Sequence, residues 1–218
     1  MLPLTMKKIA LLLALCFCTA VMADEAPKAI VLFDGKSLDD WEPVDVGGSG
    51  LVDVQDGEMI IDQGESLTGV VYKKSDTLPL KDYEITLEAM RLAGVDFFVG
   101  LTFPIRDKDT HLTLVMGGWG GSVTGISSID GLDASQNNTG TFQRFEDEKW
   151  YKVKLQVRDH ELKVFIDDKE VVDTEIKDRK LGLREGPMES YKGLSLTTFQ
   201  TAAAIRNVKL THLPAPKK

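Results

Sequence analysis

The sequence predicts an all-β sandwich or barrel folded as one domain, and three observations carry that expectation. Apolar and polar residues alternate with a period of two through most of the chain, as in strands with one buried face. Turn signals such as Asp34-Gly35, Asp56-Gly57, Asp159-His160 and Asp167-Asp168-Lys169 fall between these runs. No window of useful length has a 3.6-residue apolar period, so helix content should be low. The 218 residues fit a single all-β unit, and neither an internal repeat nor a second-domain boundary is visible.

Ile30 to Phe33 is a short apolar strand, and the Asp34-Gly35 turn after it leads to an aromatic at Trp41. Leu51 to Gln55 and Glu58 to Ile61 flank Asp56-Gly57 as a hairpin. Gly69 to Tyr72 is another short strand. Tyr83, Ile85, Leu87 and Ala89 alternate with Glu84, Thr86, Glu88 and Met90, and Gly94 breaks the pattern. In the next strand, Val95 to Phe103, the residues expected to face the core are Phe97, Val99, Leu101 and Phe103. The strand His111 to Met116 places Leu112, Leu114 and Met116 inward. Trp150 to Arg158, Leu162 to Ile166 and Val171 to Thr174 form a meander, and Lys192 to Phe199 and Ile205 to Leu210 close the fold. A sheet with one polar face, if concave, is a natural groove for an extended ligand.

Residues 1–23 read as a secretory signal peptide. Lys7 and Lys8 precede the apolar run Ile9 to Cys18, and small residues follow at Ala20 and Ala23, with the cut expected after Ala23. The run is too short for a confident transmembrane helix, which needs about 20 apolar residues. An uncleaved anchor and a lipoprotein through Cys16 or Cys18 are the competing readings. The domain then spans 24–218 with its core at about 30–213, and the protein is expected in a bacterial periplasm or outside the cell, not embedded in a membrane. Both cysteines lie in the leader, so the mature chain has no disulfide and no thiol nucleophile. Loss of Lys7 and Lys8 takes the formal charge from −8 to −10, which argues against nucleic acid as a partner.

The stretch Gly117 to Asn138 departs from the alternation. Four glycines surround Trp119, allowing positive φ and a close backbone approach to a ligand. Asp130, Asp133 and Asn137 follow, oxygen donors of the kind a divalent cation such as calcium uses, although their spacing matches no EF-hand loop. The competing reading is a plain polar loop. No Ser-His-Asp arrangement, zinc spacing or phosphate loop is present.

Four segments carry a family resemblance: Leu32 to Trp41, Asp82 to Glu88, Lys149 to Val153, and Ile205 to Leu210. Together they resemble the 3-keto-disaccharide hydrolase domain, over roughly residues 30–213. The resemblance implies a concanavalin A-like jelly roll of two curved antiparallel sheets, export from a bacterium, and a saccharide or modified saccharide as ligand. It also implies cleavage of the glycosidic bond of a 3-keto-glycoside. The chain departs from the family at two places. Asp96-Phe97-Phe98-Val99-Gly100 stands where members carry an Asn-Ser-Gly turn, and His111 to Gly117 lacks the usual Glu and Gln.

A ketone at C3 acidifies the C2 hydrogen, so one base and one group polarising the ketone suffice to expel the aglycone. Glu88, Asp96 and His111 are the catalytic candidates. Glu84 and Glu88 by themselves stand ~13 Å apart along one strand, too far for a hydrolytic carboxylate pair. Glu88 and Asp96 come nearer if their two strands pair through the turn at Leu92 to Gly94, and with His111 they would build one groove. Trp119 is the candidate stacking platform, Arg106 and Arg144 are candidate hydroxyl or acid binders, and Asp130 and Asp133 are candidate metal ligands. Each has a bland alternative: a solvated acidic face, a structural histidine, a Trp packed under a loop, and surface ion pairs. The rival function is a non-catalytic lectin-like or partner-binding module on the same fold.

Overall fold

The computed structural model describes residues 29–214. The expected leader, with its two cysteines, and the end of the polar tail lie outside the described residues.

Fifteen strands fill this range: β1 Ala29–Phe33, β2 Trp41–Pro43, β3 Val52–Gln55, β4 Glu58–Ile61, β5 Leu67–Tyr72, β6 Tyr83–Gly94, β7 Val99–Ile105, β8 Asp107–Gly117, β9 Val123–Ser127, β10 Thr141–Phe142, β11 Tyr151–Val157, β12 Glu161–Ile166, β13 Lys169–Glu175, β14 Ser195–Phe199 and β15 Thr201–His212. They form two antiparallel sheets packed as a jelly-roll β-sandwich. The back sheet has eight strands, ordered β13-β12-β11-β6-β15-β4-β3, with β1 also paired to β15. The front sheet has seven, ordered β10-β9-β8-β7-β14-β5-β2.

The alternation places the core where it was expected. Tyr83, Ile85, Leu87 and Ala89 of β6 and Tyr151, Val153, Leu155 and Val157 of β11 are buried, opposite Leu112, Leu114 and Met116 of β8. Burial of this apolar surface is the main source of stability. Tyr83 also bridges the layers, its hydroxyl donating to the Pro104 carbonyl at 2.5 Å. Trp41 follows its turn into the core. It is buried against Tyr72, with ring centroids 5.2 Å apart, and its indole N–H donates to the Leu32 carbonyl at 2.9 Å. The two Asp-Gly turns meet here. A Cβ on Gly35, whose φ is +81°, would lie 2.5 Å from the Gly57 carbonyl oxygen, so only glycine fits.

Two expectations about the middle of the chain are corrected. β6 and β7 do not pair; they belong to different sheets, and Val95 to Phe98 carries the chain from one to the other. This crossover shifts the alternation by one residue. Phe98, not Phe97, enters the core, where its ring lies 5.1 Å from Phe145 and 6.2 Å from Tyr151. Phe97 turns onto the outer face of the front sheet and stacks on Phe199 at 6.0 Å. In addition, β9 and β10 arise inside the stretch that the sequence marks as irregular, and β15 runs twelve residues where six were expected.

Candidate functional site

The outer face of the front sheet follows from its register. Thr113 of β8 stands opposite Ser127 of β9, Val115 opposite Gly125, Gly100 of β7 opposite Thr197 of β14, and Phe199 opposite Leu67 of β5. Residues opposite each other share a face, and these small side chains leave a shallow floor. A Cβ on Gly100 would meet the Thr197 hydroxyl at 2.3 Å and the Phe97 ring at 3.0 Å. The glycine therefore lets Phe97 lie flat on the sheet.

Above this floor is a pocket of about 410 Å³. Thr113, Val115 and Ser127 form its base and Phe97 and Phe199 one wall. Arg184, Glu185, Pro187 and Met188, from the loop before β14, form another. Met188, Leu67 and Tyr191 make a second apolar cluster against which Phe97 and Phe199 pack. This cluster clamps the loop to the sheet, and Tyr191 adds a hydrogen bond to the Val44 carbonyl at 3.1 Å.

Trp119 closes one end of the pocket, 37% exposed. It occupies the β8–β9 turn in the left-handed region at φ 50° and ψ 54°, with Gly117, Gly120 and Gly121 also at positive φ. A bulky residue in this region is strained, so the turn needs outside support. Asp96 supplies it. Its Oδ2 accepts from the Gly120 N–H at 3.1 Å, its Oδ1 accepts from the Phe97 N–H at 2.8 Å, and its own N–H donates to the Thr201 hydroxyl at 3.1 Å. On the other side, Gly121 leaves room for the buried Arg91, which bonds to Asp147 and to the Phe145 carbonyl.

Of the residues singled out in the sequence, Asp96 and Trp119 line this pocket, and the others lie elsewhere. Glu88 is on the outer face of the back sheet, where Arg206 donates to its Oε2 at 2.8 and 2.9 Å and Asn207 to its Oε1 at 3.1 Å. Partial burial would raise its pKa, but the bonds from Arg206 and Asn207 outweigh burial and hold it below the usual carboxylate range. The Arg206 guanidinium in turn lies 3.8 Å from the centroid of Trp150. His111 shares the front sheet's outer face but is buried beside Pro104 in a separate small cavity with Ser75 and Lys108, and its Nδ1 lies 3.2 Å from the Asp109 carbonyl oxygen. Burial pushes its pKa down, with Lys192 acting in the same direction. The expected grouping of Glu88, Asp96 and His111 in one groove is therefore not what the fold assembles, because β6 and β7 part at the crossover.

Arg106 and Arg144 also lie away from the pocket wall. Arg106 donates to the carbonyls of Arg179 and Ile176, tying the β7–β8 turn to the loop after β13, and Arg144 is exposed. Asp130 accepts from Arg179 and from the Lys180 N–H, and Arg179 lowers its pKa. Asp133 accepts from the Ser127 hydroxyl at 3.2 Å and faces Arg184 at 3.6 Å. The two proposed calcium ligands thus have arginine counterions, and no group of three or more His, Cys, Asp or Glu side chains suited to a metal occurs among the described residues. Sequence reading missed Phe97, Phe199, Arg184 and Glu185 as pocket residues. The adjacent Phe97-Phe98 pair, which no strict alternation accommodates, was the available signal for the first.

The 3-keto-alpha-glucoside-1,2-lyase-like domain matches residues 28–211. The chain belongs to this family. No curated protein matches it in sequence. Among solved structures, a Crh5 transglycosylase in complex with NAG is 11% identical with a TM-score of 0.58, covering 88% of this chain and 86% of its own. The carbohydrate-binding module CBM66 from Bacillus subtilis is 12% identical with a TM-score of 0.53, covering 79% and 95% respectively. Domain 4 of AbnA, a GH43 extracellular arabinanase from Geobacillus stearothermophilus, in complex with arabinotriose, is 11% identical with a TM-score of 0.50, covering 79% and 82%. At these identities the likeness establishes the jelly-roll fold of this family member. No helix among the described residues is long and apolar enough to cross a membrane.

Proposed function

We propose that this protein binds a saccharide in the front-sheet pocket. Family membership makes it a carbohydrate-active or carbohydrate-binding domain. One observation carries the assignment to this pocket: three aromatic rings, Phe97, Phe199 and Trp119, share it with the hydroxyls of Thr113 and Ser127 and the charged Arg184 and Glu185. Apolar ring faces stack on the C–H face of a pyranose while polar groups meet its hydroxyls, the combination ligand sites of this kind use. The expected N-terminal leader supports action outside the cytoplasm.

Cleavage of a 3-keto-glycoside is the second reading, favoured by one feature: Arg184 and Glu185 stand side by side at the pocket. In this reading the Glu185 carboxylate takes the C2 proton while Arg184 stabilises the enolate oxygen at C3. The C1–O bond then breaks, the aglycone leaves with its electron pair and acquires a proton, and water adds across the C1–C2 double bond. Asp96 is less suited to the base role, since two backbone N–H groups already occupy its oxygens.

Trp119 is the exposed member of the chain's three tryptophans, while Trp41 is buried and Trp150 lies under Arg206. Intrinsic fluorescence titrated with plain disaccharides and 3-keto-glucosides should change on binding, and Trp119→Ala should weaken affinity at least tenfold. Absence of a response to every sugar would sink the binding reading. Turnover of the 3-keto-glucosides that survives Glu185→Gln would remove the proposed base.

A further inference from the structure

Phe142 is the most exposed large apolar side chain among the described residues, at 84%. It sits on β10, the edge strand of the front sheet, opposite Val123 of β9. The register fixes its direction. Val123 precedes Gly125 by two residues and Ser127 by four, and these stand opposite Val115 and Thr113. Alternate residues on a strand share a face, so Val123 and Phe142 project on the same side as Thr113, Val115 and Ser127, which line the pocket. On its other flank Val123 bridges to Gly118, whose successor in sequence is Trp119. Val123 and Gly118 are both buried, so the single strand β9 lies between the Trp119 end of the pocket and Phe142. Two strand spacings, roughly 10 Å, lie between β8 and β10, about the span of a disaccharide.

We infer that Phe142 is the platform of a second sugar subsite and that the ligand is an oligosaccharide running from the pocket across β9 to the sheet edge. This rests on the saccharide-binding reading of the pocket. An aromatic ring held in water on an edge strand, on the same sheet face as an aromatic-lined pocket, suits a pyranose face, which stacks on apolar rings while its hydroxyls stay solvated. The polar residues Gln143 and Arg144 follow directly in sequence.

The test uses calorimetric titration of the full chain with methyl glucoside and with gluco-configured di- and trisaccharides of several linkages. The wild type should bind at least one disaccharide about tenfold tighter than methyl glucoside. Phe142→Ala, a change at an exposed position, should keep the melting temperature and the methyl glucoside affinity yet lose that tenfold gain. A gain retained in the variant, no gain in the wild type, or an equal loss for every sugar would each overturn the second subsite while leaving the pocket reading intact. A variant that instead converts a dimer to a monomer, with sugar affinities unchanged, would assign Phe142 to self-association and also overturn it. Failure of every sugar to bind the wild type would remove both readings.

Discussion

The Asp96 carboxylate holds the Gly120 backbone N–H at 3.1 Å, joining the crossover between the sheets to the turn that carries Trp119. Through its second oxygen it also fixes Phe97, so one side chain positions both aromatic walls of the pocket. Asp96→Ala removes the acceptor of two backbone donors and should cost about 1.5–3 kcal/mol, the range for hydrogen bonds to a charged partner. Asp96→Asn, which keeps one acceptor oxygen, should cost less. Urea unfolding gives the stability, and tryptophan fluorescence reports the loosened turn. Sugar affinity should fall with the turn in the alanine variant. Unchanged stability and affinity would show that the glycine-rich turn holds itself.

A second prediction concerns Glu88, which the fold assigns to structure. With its folded pKa held below the reference of 4.5, its contribution to stability is present above that reference and is lost as pH falls through the lower folded value. Glu88→Gln should reduce stability at neutral pH by about 1 kcal/mol, a figure discounted for partial exposure. It should also flatten the acid limb of the stability curve and leave sugar binding untouched. Loss of binding in this variant would bring the back sheet into the ligand site.

These placements show what was legible in the sequence. The period-two pattern identified the core face of β6, β8 and β11, because burial on one side alone dictates it. Membership in the family was legible because Trp41, with its turn, and the β15 segment are packing requirements written locally. The grouping of the site was not legible. Whether β6 and β7 pair or separate depends on long-range partners, β11 and β15 for one and β14 for the other, and no local residue specifies them. Pairing β6 with β7 would turn Phe97 inward and set Glu88 beside Asp96; the crossover instead buries Phe98 and leaves Glu88 on the other sheet. Arg184 and Glu185 gave no periodic signal at all, since they lie in a loop that the Met188 and Tyr191 cluster and the Arg184–Asp133 ion pair place over the pocket.

The third prediction separates His111 from the chemistry. It is buried, and the charged groups acting on it are Lys192, which opposes its protonation, and Asp107 and Asp109, which favour it. Burial dominates and lowers its pKa below the reference of 6.5. The folded state therefore binds fewer protons here than the unfolded chain, and stability rises with pH through this window. Its contribution is fully present above 6.5 and is lost as pH falls toward the folded value. Thermal melts of the wild type should show this decline, and His111→Gln should remove the step while leaving sugar affinity, and any turnover, within about twofold. A histidine acting as polariser or base would instead take activity with it, and the pH dependence of turnover would change in the variant. The separate cavity around its ring, lined by Ser75, Asp76 and Lys108, is the reason to expect the structural outcome.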